Sequence, residues 1–299
     1  MYDVAIIGGG AAGLSAALML GRSRRRVLVC DSGQPRNQPA AAAHGFFTRD
    51  GTPPLELLRI GREQLAPYNV DFLQGSVTSI TPSETFTLTL RDGQTAQARK
   101  ILLATGLRDD LPAIRGLMDF WGSSVFLCPY CHGWEVQDQP LAVISTGEMT
   151  AMYARVIRNW SQDVVLCTNG ASGVTAEQQE QLQGLNIRVI ETPIERITGT
   201  AGQLERIIFT DGTHIERSAV FVKSHFYQHS PLAEQLGCTF EEHGLVKVDS
   251  KGFTGVPGVY VAGDMAHTSQ VIIAASSGAV AASSLNHEMI FEDQAALVS

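Results

Sequence analysis

The chain has 299 residues, 44% of them hydrophobic, and a formal net charge of −8. Such a length and apolar share can bury a large core and point to two domains. The acidic balance argues against a nucleic-acid partner, because the charge repels a phosphate backbone. No apolar run is long enough to span a bilayer, so no membrane anchoring is expected.

In chain order, Val4 to Ile7 reads as a strand that begins almost at the first residue. No charged leader with an apolar core precedes it, so no signal peptide is expected. Gly8 to Gly13 follows as a glycine-rich turn, and Ala11 to Leu20 is rich in good helix formers. Val27 to Cys30 is a second strand, ending at Asp31. Strand, helix and strand in succession imply a parallel sheet. A helix is expected from Leu55 to Leu65 behind Pro53-Pro54, then strands over 70–73, 85–90 and 100–104. Arg91-Asp92-Gly93 marks a hairpin between the last two.

A second unit of the same kind follows: a strand over 141–144, a turn from Ser145 to Thr150, a helix over 151–160 and a strand over 164–167. The chain is expected to return to the first domain near Gly244. It closes with a strand over 258–262, Gly263-Asp264, and a helix from about Gln270 to Met289. The fold class is therefore α/β, with two Rossmann-like three-layer dinucleotide-binding domains, the second inserted into the first. The expected domains are 1–113 with 244–299, and 114–243.

Gly8-Gly9-Gly10-Ala11-Ala12-Gly13 satisfies G-x-G-x-x-G between a strand and a helix. Gly8 permits the tight turn, Gly10 admits a pyrophosphate, and Gly13 allows close helix–strand packing. The helix N-terminus offers free N–H groups to phosphate, and Asp31 is placed to accept from a ribose. Near the C-terminus, Asp264 is placed to hold a ribityl chain, with a helix N-terminus behind it to stabilise a reduced flavin. A plain strand-end turn is the competing reading of Gly263-Asp264.

Of the five cysteines, Cys30, Cys128, Cys131, Cys167 and Cys238, only Cys128 and Cys131 are close together. That usage fits a reducing cytosol with one special pair. A helix start at Cys128-Pro129-Tyr130-Cys131 would bring both sulfurs together and lower a thiolate's pKa. His132 follows directly and can take or return a proton. Zinc is the rival, but it usually wants a second such pair or a histidine pair; no metal site is expected. Two inert core cysteines are the other alternative.

The order of these motifs, together with Ala104-Thr105-Gly106 and Gln270, resembles the low-molecular-weight thioredoxin reductase family. The resemblance implies FAD, held by Gly8, Gly10, Ala11, Ala12, Gly13, Asp31, Ser32, Ala104, Thr105, Gly106, Gly263, Asp264, Gln270 and Val271. It implies Cys131 as the flavin-proximal sulfur, Cys128 as the interchange sulfur, a homodimer, and a thioredoxin-like protein or small dithiol or disulfide as partner. Three departures stand out. The nicotinamide turn G-x-G-x-x-A reads Ser145-Thr146-Gly147-Glu148-Met149-Thr150. The His-Arg-Arg cluster for the 2′-phosphate is replaced by Thr168-Asn169-Gly170, which argues against tight NADPH binding. His132 stands where the family usually has aspartate, as in the related dithiol oxidases of gliotoxin and holomycin type. Oxygen or ferredoxin then enters as redox partner. The rival readings are an NADPH-dependent thioredoxin reductase and a flavin redox sensor without turnover.

Other residues carry milder expectations. Arg22, Arg24, Arg25 and Arg26 read as favourable charge at a helix C-terminus, with a docking patch as the alternative. Tyr130 and Trp134 are expected to pack in the core. His225, Tyr227 and His229 share a polar strand face. His44, in a loop after the second strand, is a further site candidate. Cys30, Cys167 and Cys238 read as structural.

Overall fold

Successive side chains of a strand point to opposite faces, and the first strand is apolar on both. In β1 (Tyr2–Ile7), Val4 and Ile6 enter one core cluster, while Ala5 and Ile7 enter another on the opposite face. A strand buried on both faces belongs in the middle of a covered sheet, and there it lies. The computed structural model describes residues 1–147, 149–267 and 270–298. These form two compact units, one of Met1–Gln38, Gly45–Arg108 and Phe226–Ser299, the other of Pro39–His44 and Asp109–His225.

In the first unit, β1 leads through α1 (Ala11–Arg22) to β2 (Val27–Asp31), then through α2 (Pro54–Glu63) to β3 (Val70–Gln74). A meander follows: β4 (Val77–Pro82), β5 (Phe86–Leu90) and β6 (Thr95–Leu103). The sheet order is β3-β2-β1-β6-β5-β4, parallel from β3 to β6 and antiparallel through the meander. The chain leaves this unit along β7 (Leu107–Asp110).

The second unit contains β8 (Val125–Phe126), α3 (Pro129–His132), β9 (Leu141–Ile144), α4 (Thr150–Ile157), β10 (Val164–Cys167), α5 (Ala176–Gly184) and β11 (Arg188–Ile190). After them come the antiparallel strands β12 (Ile194–Thr200), β13 (Gln203–Phe209) and β14 (His214–Glu216), and then β15 (Ala219–Val222). Its five-stranded parallel sheet runs β11-β10-β9-β15-β8. The faces again differ: Ala142 and Ile144 of β9 pack with residues of the antiparallel strands, Leu141 and Val143 with Ala151, Ala154 and Ile157 of α4.

The return runs through β16 (His225–Gln228), α6 (Leu232–Gln235), β17 (Val259–Val261) and α7 (Val271–Val298). The chain rejoins the first unit at Phe226, ahead of the expected boundary at 244. The reason is packing: Leu232, Ala233, Leu236 and Cys238 are buried in the first unit's core. The last helix runs to Val298 rather than Met289. No proline or glycine stops it, and Asp293 ties its later turns to Arg25 and Arg99. β4 and the β12–β14 sheet were not foreseen as elements.

Candidate active site

The Gly8–Gly13 turn is shaped by contacts that leave no room for side chains. Gly8 sits at φ +111°, and a Cβ there would lie 2.2 Å from the Ala104 carbonyl oxygen. A Cβ on Gly13 would lie 1.9 Å from the Gly8 carbonyl oxygen. Gly10 has nothing within 4 Å on its Cβ side. Gly10 also caps α1 with no side-chain hydrogen bond, and the first turn holds no acidic residue. The α1 N–H groups, beginning at Ala11 and Ala12, therefore face an open, positively polarised cradle that fits a pyrophosphate. The residues present fit a dinucleotide on the evidence of that open cradle.

Asp31 closes β2 beside this turn and accepts from the Gly9 N–H at 3.1 Å, while its other oxygen pairs with Arg62. Ser32 is exposed next to it. Ala104-Thr105-Gly106 leads on from the end of β6, with Gly106 at φ +72° and the Thr105 N–H 3.2 Å from the Met265 sulfur. Gly263, at φ +75°, donates to Ser277 Oγ at 2.8 Å. Asp264 is paired with Arg36 at 2.8 Å, a partner that no motif in the sequence flags. Gln270 reaches to within 3.2 Å of a Cβ built on Gly45, and Val271 opens α7. All of these lie in the first unit.

In the second unit, Cys128 and Cys131 form a disulfide with Cα atoms 5.3 Å apart. Cys128 is the N-cap of α3, with Pro129 at its first position. Proline fits there because its missing N–H has no partner in a first turn. His132 ends the turn and stacks on Phe126, ring centroids 4.5 Å apart at 9°. Burial, followed by the neighbouring His44, pushes its imidazole down to about 4. At neutral pH His132 is thus an uncharged ring able to accept a proton beside the sulfurs. Tyr130 and Trp134 are 69% and 71% exposed, contrary to the expected core packing. A helix of four residues has too little surface to bury both, and Tyr130 instead meets the Trp160 ring edge-on at 5.3 Å.

A family model for pyridine nucleotide-disulphide oxidoreductases matches residues 2–280. The chain belongs to that family. A thioredoxin reductase of Leptosphaeria maculans, sirT, is 30% identical over 99% of this chain and 97% of its own. Among solved structures, TrxB from Bacillus anthracis superposes with a TM-score of 0.94 at 36% identity, covering 98% of this chain and 100% of that one. HlmI superposes at 0.93 with 38% identity, over 99% and 95%. The protein is a flavin disulfide oxidoreductase of thioredoxin reductase type, with two Rossmann-like domains.

Against the family pattern, this oxidoreductase has rebuilt its second dinucleotide turn. Ser145 and Thr150 stand at the first and last positions of the motif, and both are buried. Their hydroxyls lie 3.0 Å apart, so each satisfies the other. Gly147 keeps a positive φ of +86° in the middle. Glu148, within this turn, lies outside the described residues. After β10, the Thr168 hydroxyl donates to the Gly170 carbonyl at 2.6 Å, and Asn169 accepts from the Ile194 N–H at 2.7 Å. That stretch is closed on itself and carries no cation.

The remaining candidates divide. Arg25 pairs with Asp293, Arg26 with Asp71, and Arg22 donates to Tyr68, so three of the four arginines are committed within the chain. Exposure alternates along β16, with His225, Tyr227 and His229 outward. Among the described residues no cluster of three metal-binding side chains occurs. Cys30, Cys167 and Cys238 are free and buried, and burial pushes the first two up to about 12. They remain thiols at any physiological pH. Arg36, Phe126 and Glu135 are site neighbours that sequence reading missed. Only Phe126, at a strand end just before the cysteines, carried any signal.

Proposed function

We propose that the enzyme exchanges electrons between FAD and a small dithiol or disulfide through Cys128 and Cys131, without tight NADPH binding. When bound, the flavin supplies a two-electron store. The unit holding Gly8–Gly13 is the FAD unit, and the unit carrying the cysteines is the former nicotinamide unit. Gly8, Gly10 and Gly13, with the α1 N-terminus, would hold the pyrophosphate; Asp31 and Ser32 the adenosine ribose; Asp264 the ribityl chain. Ala104 to Gly106 and Gln270-Val271 complete the envelope.

The protein residues do the sulfur chemistry. Cys128 meets the substrate sulfur, and Cys131 departs as thiolate when the bond between them is attacked. His132, neutral beside them, takes the proton of an incoming thiol. A histidine rather than an acid beside the sulfurs suits dithiol oxidation, and oxygen is the electron acceptor in this reading. The exposed Tyr130 and Trp134 offer apolar contact next to the sulfurs.

The observation that carries the reading against NADPH is that buried Ser145 and Thr150, whose hydroxyls lie 3.0 Å apart, stand where the nicotinamide turn has its small end residues, with no cation at 168–170. A thioredoxin-like protein, the partner named in the relatives' descriptions, is the second reading, with reduced ferredoxin as an alternative donor. Stopped-flow observation of the flavin band decides, with NADPH, NADH, reduced ferredoxin and a small dithiol mixed anaerobically in parallel. Rapid bleaching by the dithiol alone is expected; rapid bleaching by NADPH overturns the reading of Ser145–Thr150.

We also infer a homodimer. From Val271 to His287, α7 carries no charged residue, and Ile273, Val280, Ile290 and Phe291 are exposed on it. An uncharged apolar stripe on a long helix fits a second copy of itself. No helix among the described residues is long and apolar enough to cross a membrane. A cytoplasmic location accords with three cysteines left as thiols.

A further inference from the structure

Forming one disulfide from two thiols releases two protons, and a single imidazole holds one. His132 must therefore be emptied within each cycle, yet its Nε2 is buried and has no hydrogen-bond partner among the described residues. A proton delivered there needs an outlet. His44 meets the His132 ring edge-on, with centroids 6.2 Å apart. A water between the two rings is part of the proposal. His44 Nε2 in turn lies 3.4 Å from Glu135 Oε1. Exposure of the side chains rises from 21% at His44 to 36% at Glu135. Disulfide, His132, His44, Glu135 and solvent thus form one series, all within the second unit.

We propose that His44 and Glu135 are positioning residues that carry protons between His132 and solvent. The inference rests on the assignment of His132 as proton acceptor. In the oxidising direction the first substrate thiol gives its proton to His132. The resulting thiolate attacks the Cys128 sulfur, the Cys128–Cys131 bond breaks, and Cys131 leaves as thiolate. His132 then passes its proton through water to His44, which releases its Nε2 proton toward the Glu135 carboxylate. Emptied, His132 accepts the proton of the second substrate thiol. That sulfur attacks the sulfur joined to Cys128, the substrate disulfide closes, and Cys128 leaves as thiolate. Two electrons have then moved from substrate to the pair and two protons to the relay.

Among the described residues, His44 is the titratable group against the His132 ring, with Glu135 beyond it, and Cys131 is its neighbour in the chain. After burial, the neighbouring His44 contributes to keeping the His132 imidazole low.

The test combines turnover with histidine titration followed by NMR in flavin-loaded His44→Ala, Glu135→Gln and His132→Gln proteins. His44→Ala should lower dithiol turnover on the order of tenfold near neutral pH, with added imidazole restoring much of it. His132 should titrate higher in His44→Ala. Wild-type rates and pH profiles in both relay variants, with an impaired His132→Gln, would overturn the relay alone. Wild-type turnover in His132→Gln would overturn the acceptor role and the relay with it. An unmoved His132 titration in His44→Ala would overturn the coupling even if rates fell.

Discussion

Because the His132 imidazole is held near 4, the folded protein keeps it neutral at pH values where the unfolded chain, titrating near the usual value of about 6.5, becomes charged. Between those values the unfolded state binds more protons, so stability rises with pH. The stabilising contribution is whole above about 6.5 and is lost as pH falls toward 4. Replacing His132 with Phe, which can keep the stack on Phe126, should flatten urea-denaturation midpoints across that window; an unchanged acid slope would contradict it. Cys128→Ser should lose dithiol turnover to background while the purified protein keeps its yellow colour. Retained turnover would remove Cys128 from the exchange role. The cysteines and His132 were legible in the sequence because they are adjacent there. Glu135 was not, because its meaning comes from His44, a residue far away in the chain.

At the scale of elements, the crossing of α1 and α7 does most to shape the cradle. Small residues line both sides: Ala12, Ala16 and Ala17 on one helix, Ala274, Gly278, Ala281 and Ala282 on the other. A Cβ on Gly278 would lie 2.0 Å from the Ala12 carbonyl oxygen, at the turn that would receive the phosphates. Gly278→Val should therefore cost about 1–3 kcal/mol of stability, seen as a lower denaturation midpoint, and reduce flavin content on purification. Equal stability and flavin content would show that the helices can part. The long strands and helices were legible because their periodicity is local. β4 and the β12–β14 sheet were missed, since short edge strands with mixed exposure carry a weak alternation signal.

For the whole molecule, two properties follow from surfaces and charge rather than from one residue. NADPH in large excess should leave the flavin oxidised for many turnovers' worth of time in the anaerobic mixing experiment, since no cation awaits the 2′-phosphate at 168–170 and the turn before α4 has lost its glycine-and-alanine ends to Ser145 and Thr150. The α7 stripe should hold two copies together. Val280→Glu places a charge in its middle and should shift sedimentation from dimer toward monomer; a wild-type protein that sediments as a monomer would end the dimer reading. Arg22, Arg25 and Arg26 serve internal pairing rather than a basic docking patch, so raising salt should have little effect on turnover with an uncharged dithiol.

The amino-acid order by itself determined the strand–glycine–helix–strand units, the tight glycine turn at Gly8–Gly13, the sulfur pair with its histidine, and the departure from the family's nicotinamide motif. Each of these depends on residues within a few positions of one another, where side-chain alternation, steric demand for glycine and thiol spacing act directly. Only the tertiary structure decided that Asp264 meets Arg36, that Ser145 and Thr150 bond to each other across their turn, that Tyr130 and Trp134 face outward, and that His44 stands between His132 and Glu135. Those outcomes depend on the path of the chain between distant or oppositely facing groups, and local propensity does not encode that path.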